Sequence, residues 1–291
     1  MESIFTNLKQ TFRNGAIPIK LIYINVGVFL IVRLLGVLFL LFNIQGIQIL
    51  DFIELPSSIS SLLFKPWTLI TYMFTHFDFF HILFNMLWLY WFGNIFLQFF
   101  NPRQLGGLYI LGGLAGALLF ILTYNTLPYF KPVVSYSALI GASASVMAIV
   151  FAISFYRRDL EINLLLIGRI KLIYLALGTI VIDFLAITSD NAGGHIAHIG
   201  GALLGILFAS QMKQGKDLTK PIIKFLDWVA DLRKPKPKMR VTYKRGETEY
   251  EYNERKNKKN DEIDRILEKL KRSGYESLSS EEKKKLFDAS K

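Results

Sequence analysis

Residues 195–212 read His195-Ile-Ala-His198-Ile-Gly-Gly201-Ala-Leu-Leu-Gly205-Ile-Leu-Phe-Ala-Ser-Gln-Met212. The stretch holds no Asp, Glu, Lys or Arg. Its length approaches the roughly 20 apolar residues that a helix needs to cross the hydrocarbon of a bilayer. Two imidazoles stand at its head. Gly201 and Gly205, one helical turn apart, offer a strip on which another membrane helix can pack backbone to backbone. Working back along the chain, five further apolar runs lie at about 21–43, 80–99, 105–124, 139–156 and 172–188, the fifth being the shortest. The chain therefore reads as an all-α, polytopic membrane protein with six spans.

Composition agrees with this reading. Hydrophobic residues make up 52% of the chain, and the mean hydropathy of +0.35 is one that soluble domains of this length seldom reach. The first run is too long for a signal-peptide core and lacks a small-residue cleavage site, so it is expected to be a retained span. There are no cysteines, which excludes thiol catalysis, disulfides and thiolate metal sites.

Orientation follows from the basic residues, because Lys and Arg are retained on the cytoplasmic side. Lys9, Arg13 and Lys20 precede the first span; Arg103 lies between the second and third; Arg157, Arg158, Arg169 and Lys171 lie between the fourth and fifth; Lys213, Lys216 and Lys220 follow the sixth. The other three connections carry only Lys65 and Lys131. Both termini are expected in the cytoplasm, with odd spans running outward and even spans inward. The expected organisation is a cytoplasmic segment over 1–20, a membrane domain over 21–212 and a basic cytoplasmic tail over 213–291.

The tail holds 23 Lys/Arg against 15 Asp/Glu and so contributes +8 of the formal charge of +11. Beside a last span, that balance reads as attraction to an anionic leaflet and not as nucleic-acid binding. Ile222, Ile223, Phe225, Leu226 and Trp228 alternate with Lys224 and Asp227 as in an interfacial helix. Residues 233–260, poor in residues to bury, read as a linker. Ile263, Ile266, Leu267 and Leu270 recur at helical spacing before Ser279 and Glu282, a capping-box pair, which suggests a short helical hairpin. Arg33 and Asp183 are charges inside spans, where a charge is expensive, and spacing alone assigns neither a partner.

The chain has only four histidines. By the topology above, His76 and His81 sit at the outer end of span two, and His195 and His198 at the outer end of span six. His81 and Asn85 are four residues apart and share a helix face. Span four opens on Gly141-Ala142-Ser143-Ala144-Ser145. At about 1.5 Å per residue, His81, Asn85, Ser143 and His198 should all lie within roughly 10 Å of the outer surface. A serine hydroxyl needs a positioned base to take its proton, and a neutral imidazole is the natural one, which casts Ser143 as nucleophile and His198 as general base. The Ser143 N–H and the side chains of His81 and Asn85 are candidate donors to an oxyanion. Each residue alone has a plainer reading. Gly-x-Ser serves packing, an interfacial His or Asn serves hydrogen bonding, and His76 and His195 read as structural. Convergence on one depth from three separate spans favours chemistry.

These residues resemble the motifs of the rhomboid family. The likeness lies in His76-Phe-Asp-Phe-Phe-His81-Ile-Leu-Phe-Asn85, in Gly141-Ala142-Ser143 and in Ala197-His198-Ile-Gly-Gly201-Ala-Leu-Leu-Gly205, with Pro66-Trp67 ahead of them. It covers about residues 60–210 and does not reach the tail. The resemblance implies a six-helix serine protease that cleaves transmembrane proteins near the membrane surface, with Ser143 and His198 as its dyad and His81 and Asn85 on the oxyanion side. It also implies a mobile fifth helix and, ahead of span six, a gating loop containing Asn191, Gly193 and Gly194. Three positions depart from the family pattern: Ala144 replaces a common glycine, Met147 an aromatic, and Thr68 an arginine.

The resulting expectation is an intramembrane serine endopeptidase in a bacterial inner membrane, opening outward, with transmembrane proteins and the lipid bilayer as partners. It needs no metal and no cofactor. A noncatalytic binder of transmembrane helices is the alternative, and a His-lined divalent-metal transporter a further one. A metalloprotease is disfavoured because no His-Glu-x-x-His occurs.

Overall fold

Each apolar run forms a helix, and where a helix starts departs from expectation there is a local reason. The structure is a computed structural model that describes residues 11–12, 15–44, 48–164, 168–232 and 246–289. Contacts divide the chain into two units, 1–234 and 235–291. In the first unit the described helices are α1 (Ile17–Leu41), α2 (Ile59–Phe64), α3 (Thr68–Thr71), α4 (Phe79–Phe96), α5 (Pro102–Thr126), α6 (Ser143–Tyr156), α7 (Leu172–Leu185), α8 (Ala192–Lys213) and α9 (Lys220–Leu232). Four of them, α1, α4, α5 and α8, are long and apolar enough to cross a membrane, whereas α6 and α7 are shorter apolar helices of 14 residues each.

Pro18 lies in the first turn of α1, where a missing N–H is tolerated, so this helix begins ahead of the expected residue 21. Asn101 and Gln104 form a capping box that starts α5 at Pro102. Helix α6 starts at Ser143 and not near 139, because Leu55–Pro56 (β1) pairs antiparallel with Ala138–Leu139 (β2) and draws that segment into a bridge. A second antiparallel pair, Glu161–Leu164 (β3) with Gly168–Lys171 (β4), joins α6 to α7.

The core is built around α6, in which every residue from Ala144 to Ser154 is buried. Its most extensive contact is with α8. Lipid solvates apolar side chains about as well as protein does, so membrane helices associate through close packing and polar bonds. Both devices appear here. A Cβ on Gly201 would stand 2.0 Å from the Ala144 carbonyl oxygen, and one on Gly205 would stand 2.4 Å from that of Ala148. The two glycines therefore set the approach of α8 to α6. Asn25 of α1 donates to the Tyr109 hydroxyl at 3.2 Å, and that hydroxyl donates to the Met73 carbonyl at 2.9 Å, tying the least buried of the four long apolar helices to the core.

A side chain at Gly201 would force the two backbones apart. Gly201→Leu is expected to cost more than the ~1–3 kcal/mol typical of overpacking, because a carbonyl cannot rotate away as a side chain can. The measurement is the thermal unfolding midpoint in detergent, and an unchanged midpoint would contradict this account of the seam.

After the last long helix, Asp217 accepts from Gln104 at 2.9 Å, and Arg103 pairs with Asp227 at 3.2 Å, holding α9 beside the start of α5. Phe225, Leu226 and Trp228 of α9 remain exposed. The second unit contains α10 (Glu249–Ser273) and α11 (Ser280–Ala289), bridged by Lys269–Glu282 at 3.0 Å and Lys285–Glu262 at 2.6 Å. Thr248 and Glu251 close a capping box, so α10 begins inside the stretch read from sequence as linker. Residues 233–245 of that stretch, and most of the amino-terminal segment, lie outside the described residues.

Candidate active site

Ser143 is the first residue of α6. The backbone that delivers it passes through Gly141 at φ +125°, a region that glycine reaches freely, and a Cβ there would lie 2.9 Å from His81 Nε2. The Gly141 N–H donates to the Tyr72 carbonyl at 3.0 Å, which anchors the turn on the segment leading into α4. Val146 N–H closes on Ala142 O, so the Ser143 N–H is left over from the helical ladder.

His81 lies in the first turn of α4. Asp78 caps that turn, its carboxylate accepting the His81 N–H at 2.9 Å. The Phe77 N–H donates to His81 Nδ1 at 3.4 Å, which makes Nδ1 the acceptor and leaves the proton of the neutral ring on Nε2. That Nε2 and Ser143 Oγ flank the same point beside Gly141, at 2.9 and 3.6 Å from it. Asn85 Nδ2 donates one hydrogen to the His81 carbonyl at 2.9 Å and keeps its second for the cavity.

His198 is held from the other side. Its Nδ1 lies 2.9 Å from Asp183 Oδ1, and His195 Nδ1 lies 2.8 Å from the same oxygen. A carboxylate only accepts, so both rings donate through Nδ1 and the neutral His198 presents an unprotonated Nε2. Ser143, His198, His81 and Asn85 together line a cavity of about 500 Å³, with Glu54 and Asn191 at its margin. Ser143, His198 and Asn85 also line a second cavity, of about 310 Å³, with Met147 and Asp183.

The structure thus brings all four sequence-derived site residues into one cavity. His76 stands apart from them in chemistry. It is buried, with its ring 5.0 Å from that of His81 and neither nitrogen hydrogen-bonded. Burial, and then His81, push its imidazole down to about 3, so it stays neutral at physiological pH.

The structure supplies a partner that the sequence left open and revises one expectation. Arg33, to which spacing assigned no partner, donates to the Phe77 carbonyl and lies 5.5 Å from the Phe29 ring centroid. Gly193 and Gly194 are not in a gating loop but buried in the first turn of α8, behind Asn191. Thr68, standing where the family has arginine, donates to the Lys65 carbonyl at 2.6 Å, and Trp67 Nε1 donates to the Phe52 carbonyl at 2.7 Å, so this loop is tied by other bonds.

Asp183 as the partner of His198 was not found by sequence reasoning. The signal was present, since a carboxylate near the carboxy-terminal end of the fifth apolar run stands close in sequence to the histidines that head the sixth. Asp183, His195 and His198 also form a group whose ligand atoms lie within 4.8 Å of one another, a set able to hold a metal ion.

Comparison with known proteins matches residues 63–214 to the Rhomboid domain and residues 247–291 to a family of unknown function, DUF6576. RHOMBOID-like protein 12, mitochondrial, of Arabidopsis thaliana is 28% identical over 216 residues, which is 71% of this chain and 61% of that protein. The chain therefore spans less than two thirds of that relative's length. A Rhomboid-domain match over just over half of the chain, on a bundle of apolar helices long enough to cross a bilayer, makes this a membrane protein of the rhomboid family.

Proposed function

We propose that the chain is an intramembrane serine endopeptidase that hydrolyses peptide bonds of transmembrane proteins near the outer membrane surface. The reading includes six membrane-crossing helices, both termini in the cytoplasm and a cytoplasmic tail over 213–291. Its support is the shared cavity of Ser143 and His198, with His198 Nδ1 bound at 2.9 Å by Asp183 so that Nε2 is the free base.

In the reaction, Ser143 Oγ attacks the scissile carbonyl carbon while its proton passes to His198 Nε2. The oxyanion is met by the Ser143 N–H, His81 Nε2–H and the second Asn85 amide hydrogen. The His198 imidazolium, stabilised by the Asp183 carboxylate, then gives its proton to the departing amine. Water repeats the sequence on the acyl-enzyme, with His198 again taking the proton, and Ser143 is regenerated. Asp183 touches neither substrate nor leaving group and acts as a positioning residue.

The test is cleavage of transmembrane reporters by the purified full-length protein in liposomes, with no metal added. A cut within the outer third of the reporter span is expected. A folded protein that cuts none of several reporters, yet retains them on co-purification, would replace this reading with that of a noncatalytic helix binder.

A further inference from the structure

We infer that Asp183, His195 and His198 form a zinc-binding site whose occupation switches the site off. Two imidazole nitrogens and a carboxylate oxygen are a donor set that Zn²⁺ accepts, with a fourth position left for water. The three ligand atoms already lie within 4.8 Å of one another. Zn–N and Zn–O bonds of about 2.0–2.2 Å place tetrahedral ligand atoms roughly 3.3–3.6 Å apart, so the two Nδ1–Oδ1 contacts, at 2.8 and 2.9 Å, need open by about 0.4–0.8 Å.

Two observations go beyond the cluster itself. Asp183 is 4% exposed, and its Oδ2 is buried without a hydrogen-bond partner. A carboxylate placed only to orient one base would not ordinarily leave an oxygen so stranded. His195 has no part in the peptidase reaction, yet its Nδ1 is brought to the same oxygen as that of His198, at 2.8 Å. One carboxylate oxygen thus meets two imidazoles through the same ring atom, which gathers the three donors that a chelate needs. The cavity of about 310 Å³ lined by Asp183 and His198 gives access to it.

Occupation and catalysis exclude each other through tautomerism. A metal at Nδ1 uses that lone pair, so the neutral ring must carry its one proton on Nε2. The proton moves from Nδ1 to Nε2 and none is gained or lost. His198 Nε2, the atom that must receive the Ser143 proton, is then already filled. The inhibitory half of this inference rests on the peptidase reading, whereas binding of zinc does not.

The experiment uses full-length protein stripped with EDTA, as the parent, Ser143→Ala and His195→Asn, in equilibrium dialysis against buffered free zinc. One zinc per chain in both the parent and Ser143→Ala, weakened at least tenfold in His195→Asn, is expected. Cobalt(II) gives a check on the parent alone, as a visible absorption band of a four- or five-coordinate site that zinc displaces. Absence of both zinc uptake and the cobalt band, or equal uptake by a folded His195→Asn, would overturn the site. In the reporter assay zinc should stop the parent and EDTA should restore it, while the zinc concentration that halves cleavage, taken against each variant's own zinc-free rate, rises at least tenfold in His195→Asn. Stoichiometric zinc on a parent that still cleaves would overturn the switch. A parent that never cleaves overturns the switch together with the peptidase reading, and the dialysis alone then decides the site.

Discussion

Ser143→Ala and His198→Ala are each expected to lower reporter cleavage by about 10⁴-fold or more, and the double variant by little beyond either alone, because nucleophile and base act as one unit. Without Oγ there is no group to form the acyl-enzyme. Without the imidazole, Oγ keeps its proton and is a poor nucleophile at neutral pH. What remains is the small contribution of oxyanion donors to direct attack by water. Initial rates over several enzyme concentrations, compared in the same liposomes, measure the effect. Retention of a tenth of parental activity in Ser143→Ala would sink the assignment. Attention would then pass to Ser145, whose Oγ is buried without a partner two residues further along α6.

The second large effect is expected from Asp183→Asn, which keeps the size of the side chain and removes its charge. An amide that turns its NH₂ toward His198 Nδ1 stabilises the ring with the proton on Nε2, the tautomer that cannot act as base. A fall in kcat of roughly 10²- to 10⁴-fold is expected, by analogy with the same change in a soluble catalytic triad. KM for the reporter should stay within about twofold, since the carboxylate does not meet substrate. Asp183→Glu should recover part of the loss. A role confined to stability would instead lower the yield of folded protein and leave kcat near parental, and that pattern would reject the positioning role.

Much of this site is legible in the sequence because its parts obey local rules. His81 and Asn85 are bound to share a face by four-residue spacing, and Ser143 and His198 both stand near the starts of apolar runs. The Asp183 contact is different in kind. It depends on the rotation of α7 about its own axis relative to α8, and an almost uniformly apolar helix carries no periodic signal to set that angle. Arg33 was left without a partner for a related reason, since its acceptor is a backbone carbonyl, and any residue supplies one. Gly193 and Gly194 read as flexible in isolation, yet Gly193 lies against Phe120 and Gly194 against Asn191, where a Cβ on either would collide. The early start of α10 followed from a Thr248–Glu251 capping box that the low hydrophobicity of the segment masked.

The bonds from Asp183 to the two histidines have a mechanical meaning as well as a chemical one. Val181, Ile182, Phe184 and Leu185 of α7 all face away from the bundle, and acyl chains wet such side chains as readily as neighbouring helices do. Apolar attraction therefore gives the carboxy-terminal end of this short helix little reason to stay. The two charge-assisted bonds, each of a kind worth about 1.5–3 kcal/mol, act there as rivets through which α7 grips α8. Prying α7 loose from α8 at that end would pull the carboxylate off the base, so the joint and the chemistry would fail together.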